Sequence, residues 1–138
     1  PALAVATLQM NERSLRRDWQ TFGLVFENLC VRDLLVYARA LPDASEDPVH
    51  YYRDDSGLEA DAIVEQADGR WAAIEVKLGE DKVDEAAAHL LRLERKLTSN
   101  ERARIQPPEF LAVVVGLARQ AYRREDGVYV IPAGCLGP

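Results

Sequence analysis

The sequence predicts an α/β sandwich with a mixed central sheet flanked by helices, and three observations predict it. A long helix-spaced apolar pattern opens the chain. Three alternating, strand-like runs joined by short turns follow it and read as an antiparallel meander. An amphipathic helix and then a continuous apolar run come next, so that strand, helix and strand suggest a right-handed parallel crossover. With 138 residues and 15.4 kDa the chain has the length for one buried core.

Residues 1–20 carry a short apolar start and then a charged stretch, 11–18. A helix is expected over 21–40, ended by Leu41 and Pro42, with Gly23, Glu27, Cys30, Val31, Leu34, Ala38 and Leu41 on one face. The acidic, turn-rich stretch 42–48 follows as a loop. Strands are expected over 49–53, 58–66 and 70–77. In the second, Leu58, Ala60, Ala62 and Val64 alternate with Glu59, Asp61, Ile63 and Glu65. In the third, Ala72, Ile74 and Val76 alternate with Trp71, Ala73, Glu75 and Lys77. A helix over 81–97 carries the apolar stripe Val83, Ala86, Ala87, Leu90, Leu93 and Leu97. After Pro107 and Pro108, residues 110–115 are an apolar run of the kind covered on both faces. Residues 121–124 and 128–131 form a hairpin around Asp126 and Gly127.

Composition narrows the function classes. Apolar residues make up 48% and charged residues 29%, as in a globular domain. No apolar run approaches the roughly 20 residues that span a bilayer, and the start lacks the pattern of a signal peptide. A cytoplasmic protein with no membrane partner is therefore expected. The missing initial Met suggests a piece of a longer chain. Cys30 and Cys135 lie in apolar surroundings without metal-ligand spacing. The net charge of −6 is uneven: residues 41–68 hold nine acids and one base, Arg53, while 92–124 hold eight bases and three acids. Any affinity for nucleic acid is expected to be weak and to come from the second stretch.

Three carboxylates and one lysine carry the chemistry. Glu75 and Lys77 lie two apart on one strand and project from the same face. If residues 67–69 form a three-residue loop with Gly69 left-handed, the hairpin is symmetric about Asp68 and Asp61 falls opposite Glu75. A two-residue loop puts Asp61 opposite Val76 instead. Like charges about 5 Å apart repel unless compensated, and a divalent metal, Mg²⁺ or Mn²⁺, is the natural compensator for carboxylate oxygens. Lys77 beside them is placed to orient water or to meet charge developing on a phosphate. Glu27 interrupts an apolar helical face one turn after Gly23, whose missing side chain lets another backbone approach. A buried carboxylate there needs a partner. Glu27 thus adds weight to the cluster of Asp61, Glu75 and Lys77. The competing reading of Asp61, Glu75 and Lys77 is a salt bridge on a solvated strand face.

Asp61, thirteen intervening residues and then Glu75-Val76-Lys77, preceded by a helix-borne Glu27, resembles the PD-(D/E)XK nuclease motif; Ala60 stands where the motif's name has Pro. The longer strings are similar to something narrower. Phe22-Gly23-Leu24-Val25-Phe26-Glu27-Asn28, Tyr51-Tyr52-Arg53, Gly57-Leu58-Glu59-Ala60-Asp61 and Ile74-Glu75-Val76-Lys77 resemble the uncharacterised C-terminal domain of bacterial and archaeal AAA-type ATPases. So does the tail, Ala121-Tyr122-Arg123-Arg124 and Asp126-Gly127-Val128-Tyr129-Val130-Ile131-Pro132. The resemblance covers roughly residues 20–132. It implies a restriction-endonuclease-like fold over 1–138 as a single nuclease-like domain, the C-terminal part of a longer ATPase chain. It also implies Mg²⁺-dependent hydrolysis of DNA phosphodiesters, with Asp61, Glu75 and Lys77 catalytic, Asp61 and Glu75 binding the metal and Glu27 completing its ligand set. The alternative is a catalytically silent module that binds nucleic acid or protein for that ATPase. The implied partners are DNA, held weakly, and an N-terminal ATPase module, and homo-oligomerisation is compatible with both readings. No Walker motif is present, so nucleotide binding of the P-loop kind is not expected of these residues.

Overall fold

The computed structural model describes residues 11–15, 17–100 and 103–137. The apolar start 1–10 and Arg102 of the basic stretch lie outside them. Among the described residues α2 (Trp19–Arg39), with the short α1 (Glu12–Leu15) packed on it, and α3 (Val83–Thr98) accompany six strands. These are β1 (Ala44–Arg53), β2 (Glu59–Gln66), β3 (Trp71–Lys77), β4 (Phe110–Val115), β5 (Tyr122–Arg123) and β6 (Tyr129–Pro132). They form one sheet in the order β1-β2-β3-β4-β6-β5. The β1–β2–β3 meander is antiparallel, β4 joins β3 and β6 in parallel, and β5 closes a hairpin on β6. The mixed α/β sandwich expected from the sequence is the architecture observed. No helix among the described residues is long and apolar enough to cross a membrane.

The two sheet faces have separate cores. Ala73, Leu111, Val113, Val115 and Val130 pack against the buried stripe of α3, Val83, Ala86, Ala87, Leu90 and Leu93. On the other face Ile74, Val76, Ala112 and Val114 meet Cys30, Phe26 and Leu34 of α2. Buried on both faces, β3 and β4 read as continuous apolar runs apart from Glu75 and Lys77.

Several boundaries differ from the sequence reading. Asp18 starts α2 two residues early, because its carboxylate accepts from Thr21 N–H at 3.0 Å and caps the first turn. The acidic stretch expected as loop is mostly strand, since β1 begins at Ala44. Its pairing slips between Ala44↔Gln66 and Val49↔Val64, and an irregular edge strand of this kind tolerates the buried Pro48. Cys135, expected in apolar surroundings, is exposed, whereas Cys30 is buried.

The glycine argument also moves. A Cβ on Gly23 meets only the Leu78 side chain at 3.6 Å, an ordinary contact. The tight approach is at Gly116, where a Cβ would lie 3.0 Å from the Phe26 ring and 3.3 Å from the Leu78 carbonyl. The first half of α2 thus rests on the ends of β3 and β4 through Phe26.

Candidate functional site

The hairpin between β2 and β3 fixes the register. Gly69 has φ of +84° and closes a three-residue loop, with Gln66 N–H donating to the Arg70 carbonyl at 2.8 Å. Pairing then runs from Glu65↔Trp71 to Ala62↔Ile74, symmetric about Asp68. Carried one step past the last pair, this register sets Asp61 opposite Glu75, the outcome expected for a three-residue loop rather than a two-residue one.

A bulge aims Asp61. Between His50↔Ile63 and Tyr52↔Ala60 the β1–β2 pairing shifts by one, so Tyr51 alone faces both Asp61 and Ala62. The alternation of β2 changes there: Ala62 lies in the core under α2, but Ala60 and Leu58 lie in the core under α3. The sequence reading put all three on one face. Beyond the bulge the Val76 amide donates to Asp61 Oδ2 at 2.7 Å, so a side chain takes the place of the next ladder bond.

Asp61 and Glu75 are 8% and 2% exposed, so the face is not solvated, although the ion pair of the competing reading is present. Lys77 Nζ donates to Glu75 Oε2 at 2.5 Å and lies 3.5 Å from Asp61 Oδ2. Glu75 Oε1 is buried with no hydrogen-bond partner. Burial, reinforced by the Asp61 charge, pushes the Glu75 carboxyl up to about 7 against the opposing pull of Lys77. Burial also works against the Lys77 ammonium, but the bonds and charges of Glu75 and Asp61 outweigh it and raise its pKa. Both partners therefore shift upward: the ion pair secures the lysine's proton without offsetting the burial of the acid.

Glu27 is half-buried on α2. Burial and then the Asp61 charge raise its pKa, while Lys77 opposes them. It shares the electrostatic field of the cluster. Among the described residues no three His, Cys, Asp or Glu side chains are grouped as a ready-made metal cage. The donor set is nonetheless of the hard-cation type: two buried carboxylates, a third in their field, and one buried oxygen without a donor. Asp61 and Glu75 fit such an ion.

At the lip of the site Tyr51 donates its hydroxyl to Glu59 Oε2 at 2.9 Å, and Arg53 lies 4.0 Å from the same oxygen. The Glu59 charge reaches Glu27 and Glu75. The alternation of β1 gave no reason to single out Tyr51, because only the bulge places it across from Asp61. His89 is exposed on α3, and His50 is exposed 4.0 Å from Asp47.

A family model described as a domain of unknown function (DUF4143) matches residues 22–136, most of the chain. Comparison with curated proteins and with solved structures gave no match.

Proposed function

The chain belongs to the DUF4143 family, a domain of unknown function, and from its buried carboxylates we propose that it is a divalent-metal-dependent phosphodiesterase of the PD-(D/E)XK, restriction-endonuclease-like kind. DNA is the proposed substrate, and an AAA-type ATPase the proposed partner that presents it. One observation carries the reading: Glu75 Oε1 is a carboxylate oxygen sealed from solvent with nothing to bond. Unsatisfied buried acceptors are rare in native folds and call for an explanation such as a bound ion.

In this reading Asp61 and Glu75 hold Mg²⁺ or Mn²⁺ and Glu27 completes the set. The bound ion supplies a Lewis acid for the phosphate and acidifies a water. Lys77 already aims its ammonium at both carboxylates. There it orients water and stands against the negative charge that grows on phosphate oxygens. The Val76 amide holds Asp61 in place, so the carboxylate is set by the backbone rather than by a free rotamer. With −8 of charge in residues 41–68, the domain alone attracts a polyanion poorly. Slow cleavage in isolation follows.

The test couples thermal shift to plasmid cleavage. Mn²⁺ is expected to raise the melting temperature of the wild type and not of Glu75→Gln, as any native-state ligand would. Weak Mn²⁺-dependent nicking is expected, and Lys77→Ala should abolish it. Absence of a metal-dependent shift overturns the proposal. A second reading, the catalytically silent module, is favoured by the 2.5 Å bond of Lys77 to Glu75, which supplies one carboxylate with a permanent counterion. Salt-sensitive DNA binding without cleavage identifies it.

A further inference from the structure

Residues 41–68 hold nine acids and a single base, and that base stands beside the carboxylate cluster. Arg53 ends β1 and pairs with Glu59 of β2, two residues before Asp61. Val49 packs in the core under α2 and Tyr52 in the core under α3. Alternation along β1 therefore sends Tyr51 and Arg53 to the α2 side, the side that bears Glu27. Behind burial and the Asp61 charge, the charge of Glu59 contributes to the raised pKa of both Glu27 and Glu75. The pair Arg53 and Glu59 thus borders the cluster rather than a remote surface.

Four carboxylates, Glu27, Glu59, Asp61 and Glu75, share this corner with two cations. Lys77 is engaged by Glu75 at 2.5 Å and by Asp61 at 3.5 Å. Arg53 is held loosely. Its Nε lies 4.0 Å from Glu59 Oε2, too far for a hydrogen bond, and that oxygen already accepts from the Tyr51 hydroxyl at 2.9 Å. The Arg53 side chain is 67% exposed. A divalent ion in the cluster would leave the corner near neutrality, with no charge to spare for the further phosphates that a nucleic-acid strand brings. Of the two cations Arg53 is the one able to turn toward them, and a guanidinium matches a phosphate with two parallel N–H donors.

We propose that Arg53 is the phosphate anchor of this site: it turns from Glu59 to the substrate strand and binds a phosphate beside the one hydrolysed, while the Tyr51 hydroxyl keeps Glu59 in place. On the phosphodiesterase reading above, on which this rests, Arg53 positions the strand and touches no reacting atom. The contact is to the backbone, so it carries no base preference.

The probe is a fluorescein-labelled oligothymidylate, followed by anisotropy over a KCl series with Ca²⁺ as the hard cation. Arg53→Gln should weaken binding severalfold and reduce the slope of log K against log salt by about 0.7, the value for one phosphate contact on a single strand. Arg53→Lys should keep the slope and recover only part of the affinity, because an ammonium lacks the fork. Arg39→Gln removes the same charge at the end of α2, about three turns beyond Glu27, and should leave the slope unchanged. Glu59→Gln should tighten binding in the wild type and far less in Arg53→Gln, because the carboxylate competes with the strand for Arg53. An undiminished slope in Arg53→Gln, equal tightening by Glu59→Gln in both backgrounds, or no binding by the wild type overturns the proposal. The Mn²⁺ thermal shift separates it from the reading beneath it: Arg53→Gln should retain the wild-type shift. A wild type without that shift defeats the metal reading, while the salt slope still decides for or against Arg53.

Discussion

Lys96 with Asp54, and Lys77 with Glu75, are the same chemistry set in two places. Asp54 closes the turn between β1 and β2. Its Oδ1 accepts from Ser56 N–H at 2.7 Å, the Ser56 hydroxyl at 2.6 Å and Leu58 N–H at 3.1 Å, while Lys96 of α3 binds Oδ2. Those donors hold its carboxyl well below the usual carboxylate range. Glu75 has one donor on one oxygen and none on the other, and burial pushes it up to about 7. A carboxylate supplied with donors at the surface works as a staple. One sunk in the sheet with half its valence unmet is kept at a cost to stability, as groups at functional sites often are.

The largest expected effect sharpens that contrast. Lys77→Met removes the cation from two buried carboxylates and should cost about 3–5 kcal/mol at pH 8, measured by urea unfolding. Much of the loss should return at pH 5, where Glu75 protonates. A loss below about 1 kcal/mol at pH 8 would show that the ammonium does not support the cluster.

Next comes the pH dependence of the intact protein. Glu75 has a folded pKa of about 7, above the usual value of 4.5. Its contribution to stability is therefore complete below about 4.5 and is lost as the pH rises through 7, a change of roughly 3 kcal/mol. Glu75→Gln should remove this slope and unfold at higher denaturant than the wild type at pH 8 in the absence of metal. Asp54 has the opposite sign: its support is present above the usual carboxylate pKa and fades as the pH falls. Unfolding curves of wild type and Glu75→Gln that stay parallel from pH 5 to 8 break the comparison.

Asp61 comes third. Its Oδ2 serves Val76 N–H, so Asp61→Ala should leave a buried amide without an acceptor and cost about 1–3 kcal/mol. Asp61→Asn keeps a carbonyl oxygen in place and relieves the repulsion with Glu75, so it should cost less. Hydrogen exchange of the Val76 amide separates the two: protection should fall in the alanine variant and persist in the asparagine one.

Much of this was legible in the sequence. The turn residues 67–69 narrowed the partner of Asp61 to Glu75 or Val76, and the left-handed Gly69 with its three-residue loop decides for Glu75. The apolar stripe of α3 and the unbroken run of β4 were readable because each has a single period. What could not be read is where a period breaks. The bulge at Asp61 and Ala62 depends on how β1 lies against β2, and neither strand shows it alone. For the same reason Tyr51 and the alternation of Ala60 were misplaced or missed. Gly116 escaped because its constraint comes from a ring in α2, ninety residues earlier in the sequence.

The smallest effect is expected at Lys96, and it bounds the other half of the comparison. Lys96 ties the last turns of α3 to the β1–β2 turn, but its side chain is 48% exposed, against 15% for that of Asp54. Removing it by Lys96→Met leaves Asp54 with three donors from its own turn, so no buried charge is stranded. The pair also lies where dissolved ions can screen it. The loss should therefore be a small fraction of that at Lys77, and it should shrink further when unfolding is repeated in molar salt. The Lys77 loss should hardly respond to salt, because its partners are 8% and 2% exposed. Equal salt sensitivity of the two variants would mean that water and ions reach the Asp61–Glu75 cluster as freely as the surface turn, and the contrast between staple and site would fall.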